Sequence, residues 1–370
     1  MTDNTAYGFH VDDLIYSAHP DPAWARKSWT SLDGVWKLEH RGRVKDITVP
    51  FPIGSEASGV DFRDSGTFIY RRTFSLPSYR ADRSYLLRVG ACDYETLVRV
   101  NGREVGRHTG GYASFSFDIS AALAAGENSL ELVVRDSHSP FQARGKQTPL
   151  RKAFFVWYEG ISGLWQPIWI EETGRRYLER AETRVDFAAR RVEVRAVPSP
   201  GSAEGLGLSV EVLSPSGGRR TFVSAQAGAN SPAGPGGALT VSFGFDDFDS
   251  ALWSEADPKL HALGLHLSQD GAELDSVESY FGLRDVKVDR EGFRINGEKV
   301  YLRMVLDQGY YPGGVYAPRS YRQLEEDIAA IKAMGFNGAR IHEKVESPYF
   351  HYLCDRLGLY TSFEMPSFYL

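Results

Sequence analysis

Cysteine is scarce: the 370 residues hold two, Cys92 and Cys354. Two thiols so far apart in sequence suggest neither a disulfide framework nor a metal knuckle, so buried free thiols are the expectation. Long basic runs are absent and the net charge is −6, which removes the electrostatic footprint of a nucleic-acid or anionic-membrane binder. No stretch approaches the length of a membrane span, and the opening MTDNTAYGFHVDDLIY lacks a basic start followed by an apolar run. A cytoplasmic protein with neither nucleic-acid nor membrane partners is therefore expected. Gly110-Gly111 and Gly313-Gly314 lack the strand, glycine loop and helix setting of a phosphate cradle and read as turns. His138, His261 and His351 show no metal-ligand spacing.

Core-forming residues, in contrast, are plentiful at 42% hydrophobic and 13% aromatic, enough for two or three domains. Up to residue 173, short aromatic and β-branched runs such as FIYRRTFSL, SYLLRVGAC and NSLELVVRD are broken by turn residues, the pattern of an antiparallel sandwich. Asn101-Gly102 suits a tight I′ hairpin turn. Residues 174–285 carry further alternating runs, RVEVRAVP, GLSVEVLSP and ALTVSFGF among them, with a long flexible turn at 225–237; a smaller immunoglobulin-like sandwich is expected.

From residue 286 the period changes. After an Asn296-Gly297 hairpin, VYLRMVL reads as a near-continuous apolar strand buried on both faces. Leu324, Ile328, Ile331 and Met334 then recur at helical spacing between a Ser320 cap and a Gly335 stop. Strand 339–345, helix 348–357 and strand 360–365 follow. Strands alternating with helices indicate a parallel sheet of βα units.

SLDGVWKLE, VNGREVGRHTGGYASFSFDIS, GISGLWQPIWIE and GFNGARIHEKVESPYFHYLCDRLGLYTSFEMP, in that order along almost the whole chain, resemble glycoside hydrolase family 2, the β-galactosidase, β-glucuronidase and β-mannosidase group. The resemblance implies a galactose-binding-like jelly-roll domain at 1–173, an immunoglobulin-like β-sandwich at 174–285, and the first strands of a catalytic (β/α)₈ TIM barrel at 286–370. It also implies a retaining glycosidase of O-glycosyl bonds, β-galactosidase-like as the first reading. Such enzymes set a glutamate acid/base and a glutamate nucleophile about 5–5.5 Å apart. Both would fall on later barrel strands, so no catalytic residue is expected in this chain and the truncated barrel is expected to be inactive alone. A non-catalytic carbohydrate-binding or scaffold module, or one half of a split glycosidase, is the alternative. The carbohydrate would be a β-glycoside, and the open barrel edge would favour self-association or a complementing chain.

Arg340 and His342 point to one side of the second barrel strand and Glu364 ends the third, where barrel chemistry sits. In the resemblance Arg340 matches an active-site arginine and Glu364 an acidic residue that lines the sugar site or, in some members, helps hold a divalent metal; no other cofactor is implied. His342 stands one residue earlier than the histidine of many members. Asp307 and Gln308 are further candidates for sugar hydroxyls. The competing reading is a buried Arg340–Glu364 ion pair that fixes neighbouring strands. In the first domain Arg144, Lys146, Arg151 and Lys152 lie beside Trp157, Tyr158, Glu159 and Trp165. Aromatic faces there could stack on a sugar ring; solvated basic residues and tryptophans that pack domains together are the plainer reading, above all for Trp165 and Trp169, and some members carry an aspartate where Trp157 stands, which argues against a direct sugar contact from this loop.

Overall fold

A computed structural model describes residues 18–62, 64–150, 152–201, 205–224 and 237–368. Among the described residues strands far outweigh helix, and two α-helices lie toward the end of the chain. In the first part a six-stranded antiparallel sheet (Arg43–Val49, Gly34–His40, Gly66–Ser75, Glu127–Asp136, Glu95–Val100, Arg103–Thr109, in spatial order) faces a four-stranded one (Trp29–Ser31, Ile168–Thr173, Ser84–Val89, Phe115–Asp118). Side chains alternate across each strand. Leu130, Leu132 and Val134 therefore point inward together, to meet Trp36, Phe68, Leu87 and Ile170 in one core. Asn101 and Gly102 have φ of +50° and +77°, as the tight turn requires.

The next region also has two sheets, of three strands (Leu178–Asp186, Arg191–Pro198, Leu239–Gly244) and four (Arg219–Val223, Leu206–Leu213, His261–Gln269, Ala272–Phe281), around Val192, Val194, Val210, Phe243 and Leu265. Most of the expected flexible turn at 225–237 lies outside the described residues.

A three-stranded antiparallel meander, Val286–Asp289, Gly292–Ile295 and Glu298–Val300, leads into the parallel unit. Three parallel strands, Met304–Asp307, Gly338–Ile341 and Tyr360–Phe363, lie side by side in chain order. Helix α1 (Tyr321–Ala333) begins where the Ser320 hydroxyl accepts the Gln323 N–H; α2 (Pro348–Leu357) is capped likewise by Ser347 and ends at Gly358 in the left-handed region. The helices bury Leu324, Ile328, Tyr349 and Leu353 against Ala339 and Ile341 on one face of the sheet.

Two expectations need correction. VYLRMVL is not one strand: Val300 pairs antiparallel with Phe293 and Met304 parallel with Gly338, so its two ends belong to different sheets, with 301–303 in neither. Arg303 in that gap is held by its N–H to Asn337 Oδ1 and its Nε to the Gly335 carbonyl. Nor is the run buried on both faces, since Tyr301 is 79% and Leu306 49% exposed. Met334 is the C-cap residue of α1, past the last turn of the apolar face, and is exposed.

Candidate functional site

In the parallel register Leu306, Arg340 and Ser362 share one rung, so their side chains leave the sheet on the face opposite the helices. His342 follows two residues after Arg340 and reaches the same side. The Glu364 N–H donates to the Ile341 carbonyl (3.1 Å), which holds the glutamate at the C-terminal end of the third strand. The three side chains meet: Arg340 Nε donates to Glu364 Oε1 (2.6 Å), and His342 Nδ1 lies 2.6 Å from Oε2 in the tautomer that donates. Arg340 Nη2 is paired with Oε1 as well. Burial acts to raise the Glu364 carboxyl, but the bonds and charges of Arg340 and His342 outweigh it and hold it below the usual carboxylate range.

The pair suggested by the competing reading thus forms, yet it is not buried, with Arg340 54% and Glu364 28% exposed at the side chain. An ion pair so open contributes at most about 1 kcal/mol. Strand fixing is a weak account of it. Asp307 is not brought to the cluster, because its Oδ1 accepts the N–H of Gly309 (2.8 Å) in its own turn and only its backbone carbonyl meets His342 N–H. Gln308 Oε1 is buried without a hydrogen-bond partner among the described residues.

A loop of the first sandwich meets the chain on either side of this cluster, at Glu343 and Ser367. Arg144 and Gly145 N–H both reach the Ser367 carbonyl (3.1 and 3.3 Å), and Tyr310 hydroxyl donates to the Glu159 carbonyl (3.2 Å). Gly145 sits at φ +57°, and a Cβ there would fall 2.1 Å from the Glu343 carbonyl oxygen, so the approach needs glycine. Arg144 is not a solvated residue: it is 1% exposed, 3.7 Å from Asp136. Its neighbour Gln147 donates to Asp93 and to the Tyr112 hydroxyl. Burial, then the nearby Asp136 charge, pushes Asp93 up to about 7. Lys146 is half-buried and Lys152 exposed; Arg151 lies outside the described residues. Trp157 stacks on Phe154, and Trp165 and Trp169 are buried packing residues.

Sequence reasoning missed the Lys344–Glu346 pair beneath the site. Glu343 has φ +52°, which ends the strand and turns Lys344 inward. Lys344 Nζ lies 2.5 Å from Glu346 Oε1, with both side chains buried, and donates to the Gly309 and Tyr316 carbonyls (2.8 and 3.0 Å) among the rings of Trp165, Tyr311 and Tyr316. Charged letters in a polar stretch look like surface. The nearby signal was the aromatic density of YYPGGVY, which supplies the ring cluster. Among the described residues no group of three or more His, Cys, Asp or Glu side chains converges as a metal site, and Glu364 is committed to Arg340 and His342.

Residues 18–161 match the family model described as "Glycosyl hydrolases family 2, sugar binding domain". The chain is 24% identical to a β-galactosidase of Bacteroides ovatus over 96% of its own length and 40% of that protein's, and 25% identical to a β-glucuronidase of Paenibacillus borealis over 74% and 48%. Its fold is shared with the β-glucuronidase of Bifidobacterium dentium solved with coumarin-3-O-glucuronide (TM-score 0.77, 20% identity, 93% of this chain and 62% of that one). The β-D-glucuronidase of Dictyoglomus thermophilum is similar too (TM-score 0.74, 20% identity, 93% and 59%). The chain spans less than half the length of the curated relatives named here.

Proposed function

We propose that this chain, whose residues 18–161 match the sugar binding domain of glycosyl hydrolases family 2, belongs to that family and is the sugar-recognising part of a retaining β-glycosidase, β-galactosidase-like in substrate. On this reading residues 1–173 are a jelly roll, 174–285 an immunoglobulin-like domain, and 286–370 the first three strands of a TIM barrel. The observation that carries the proposal is the Arg340–His342–Glu364 cluster at the C-terminal ends of parallel strands, with a loop of the first sandwich bonded to Ser367 just beyond it. In barrel enzymes that end is where chemistry is placed.

Arg340 offers guanidinium donors and Glu364 an ionised acceptor side by side, a pairing suited to adjacent sugar hydroxyls. Arg340 can be neither acid/base nor nucleophile, and Glu364, held below the usual carboxylate range, is a poor general acid whose two oxygens are both engaged by donors. Those two roles would belong to glutamates on later strands. Assayed as the 370-residue polypeptide, the chain is therefore expected to release no nitrophenol from aryl β-galactoside, β-glucuronide or β-mannoside. Turnover that co-purifies with the chain and vanishes in Glu364→Gln would overturn the proposal and put catalysis in this cluster.

A further inference from the structure

On the far side of the Lys344–Glu346 pair, a cavity of about 180 Å³ lies between the segment Pro20–Trp24, the four-stranded sheet of the first sandwich, and the start of α2 at Ser347 and Pro348. Pockets for drug-sized ligands run to about 300–1,000 Å³. This one holds the equivalent of about six waters, room for a single six-membered ring and its substituents.

Its lining is mixed. Trp169 contributes an apolar ring, and Trp24 another whose Nε1–H is buried without an acceptor among the described residues; Phe115 borders the cavity too, but its ring turns into the sandwich and stacks on His108. Gln166 is the built element: it is 5% exposed and lines the cavity. Among the described residues no hydrogen bond reaches its side-chain amide, which is nevertheless not sealed from the space around it. An amide at the cavity wall with its donor and acceptor both unspent is free to meet the hydroxyls of a guest. Ser114 and Ser116 add hydroxyls at the exposed rim.

Charge narrows the class of ligand. Arg88 and Arg26 are both paired with Glu171 (3.2 and 2.5 Å), and Arg26 with Asp275 as well, while Asp21 adds a further carboxylate to the lining. With both guanidiniums engaged, an anionic guest meets no unpaired cation there among the described residues and faces the Asp21 carboxylate. We infer that this cavity is a second carbohydrate site, separate from the strand-end cluster, which takes one uncharged pyranose between aromatic faces and the Gln166 amide. Aromatic rings stack on the C–H faces of a pyranose while the amide and hydroxyls meet its rim, the usual division of labour in small-ligand sites.

Calorimetric titration of the full chain with methyl β-galactopyranoside, methyl β-glucopyranoside and methyl β-glucuronide tests it. At least one uncharged glycoside should bind, the glucuronide at least tenfold more weakly. Binding should persist in Arg340→Ala, weaken at least tenfold in Gln166→Leu, and disappear in Ser116→Trp, a rim substitution that fills the opening without touching the core. Binding lost in Arg340→Ala but kept in Ser116→Trp would locate all recognition at the strand ends and overturn the inference while leaving the proposed function intact. No heat with either uncharged sugar in Arg340→Ala would also overturn it.

Discussion

Arg26→Met is expected to destabilise the protein by about 3–5 kcal/mol, the cost of breaking a buried ion pair from one side. Arg26 is 3% exposed and joins three parts of the chain at once. Its Nη1 bonds Glu171 in the first sandwich (2.5 Å), its Nε and Nη2 bond Asp275 in the second (3.1 and 2.9 Å), and Nη2 also reaches the Leu178 carbonyl (2.6 Å). Methionine keeps the stem but leaves the enclosed Asp275 without its cation and Glu171 with only Arg88 and His19. Thermal and denaturant melting of the variant check the loss, and Arg26→Met combined with Asp275→Asn should recover part of it.

The same junction sets an acid limit. Burial acts to raise Glu171, but the His19 bond and the charges of Arg88 and Arg26 outweigh it and depress the carboxyl to about 2 from an ordinary 4.5. A depressed carboxylate adds stability that is complete above its unfolded value and is lost as pH falls through the folded one. The contribution should therefore fade between about pH 4.5 and 2, and Glu171→Gln should flatten melting temperature against pH in that window.

Lys344→Met is expected to cost a similar 3–5 kcal/mol, because Glu346 would be left charged and unpaired in a dry setting. Here the double variant Lys344→Met with Glu346→Gln should regain most of the loss, since a buried pair replaced on both sides is often near neutral. Burial already raises the Glu346 carboxyl despite the lysine. Without the lysine it rises further, so the folded variant takes up a proton more readily than the unfolded chain. The loss should then shrink as pH is lowered. A single variant that melts like the wild type would mean the pair contributes nothing to holding the Gly309 turn and the tyrosine rings.

The strands and helices that were legible in the sequence are those whose local signals agree. Ser347, Pro348 and Gly358 bracket α2, and the Asn-Gly hairpins fix their own turns. Arg43–Val49 was missed because it is a largely exposed edge strand with almost no alternation to find. His261–Gln269 was missed because Gly264 and two histidines dilute a run whose Leu263, Leu265 and Leu267 are nonetheless buried. At the site, two-residue spacing brought Arg340 and His342 together with Glu364. Asp307 went elsewhere because its side chain caps its own turn, a choice made by three atoms of local geometry that no spacing encodes. Arg144 and Lys344 became buried through contacts between distant segments, and their charge alone pointed to the surface.

If the strand-end cluster receives a sugar, His342 reports on it directly. Imidazole NMR shifts of His342, followed while methyl β-galactoside or methyl β-glucuronide is titrated into the full chain, should change saturably with one of them. The change should be lost in Arg340→Ala and Glu364→Gln, while both variants keep stability within about 1 kcal/mol of wild type, as open ion pairs allow. An imidazole indifferent to both glycosides at saturating concentration, with the two variants instead losing several kcal/mol, would show that the cluster fastens strands and binds nothing.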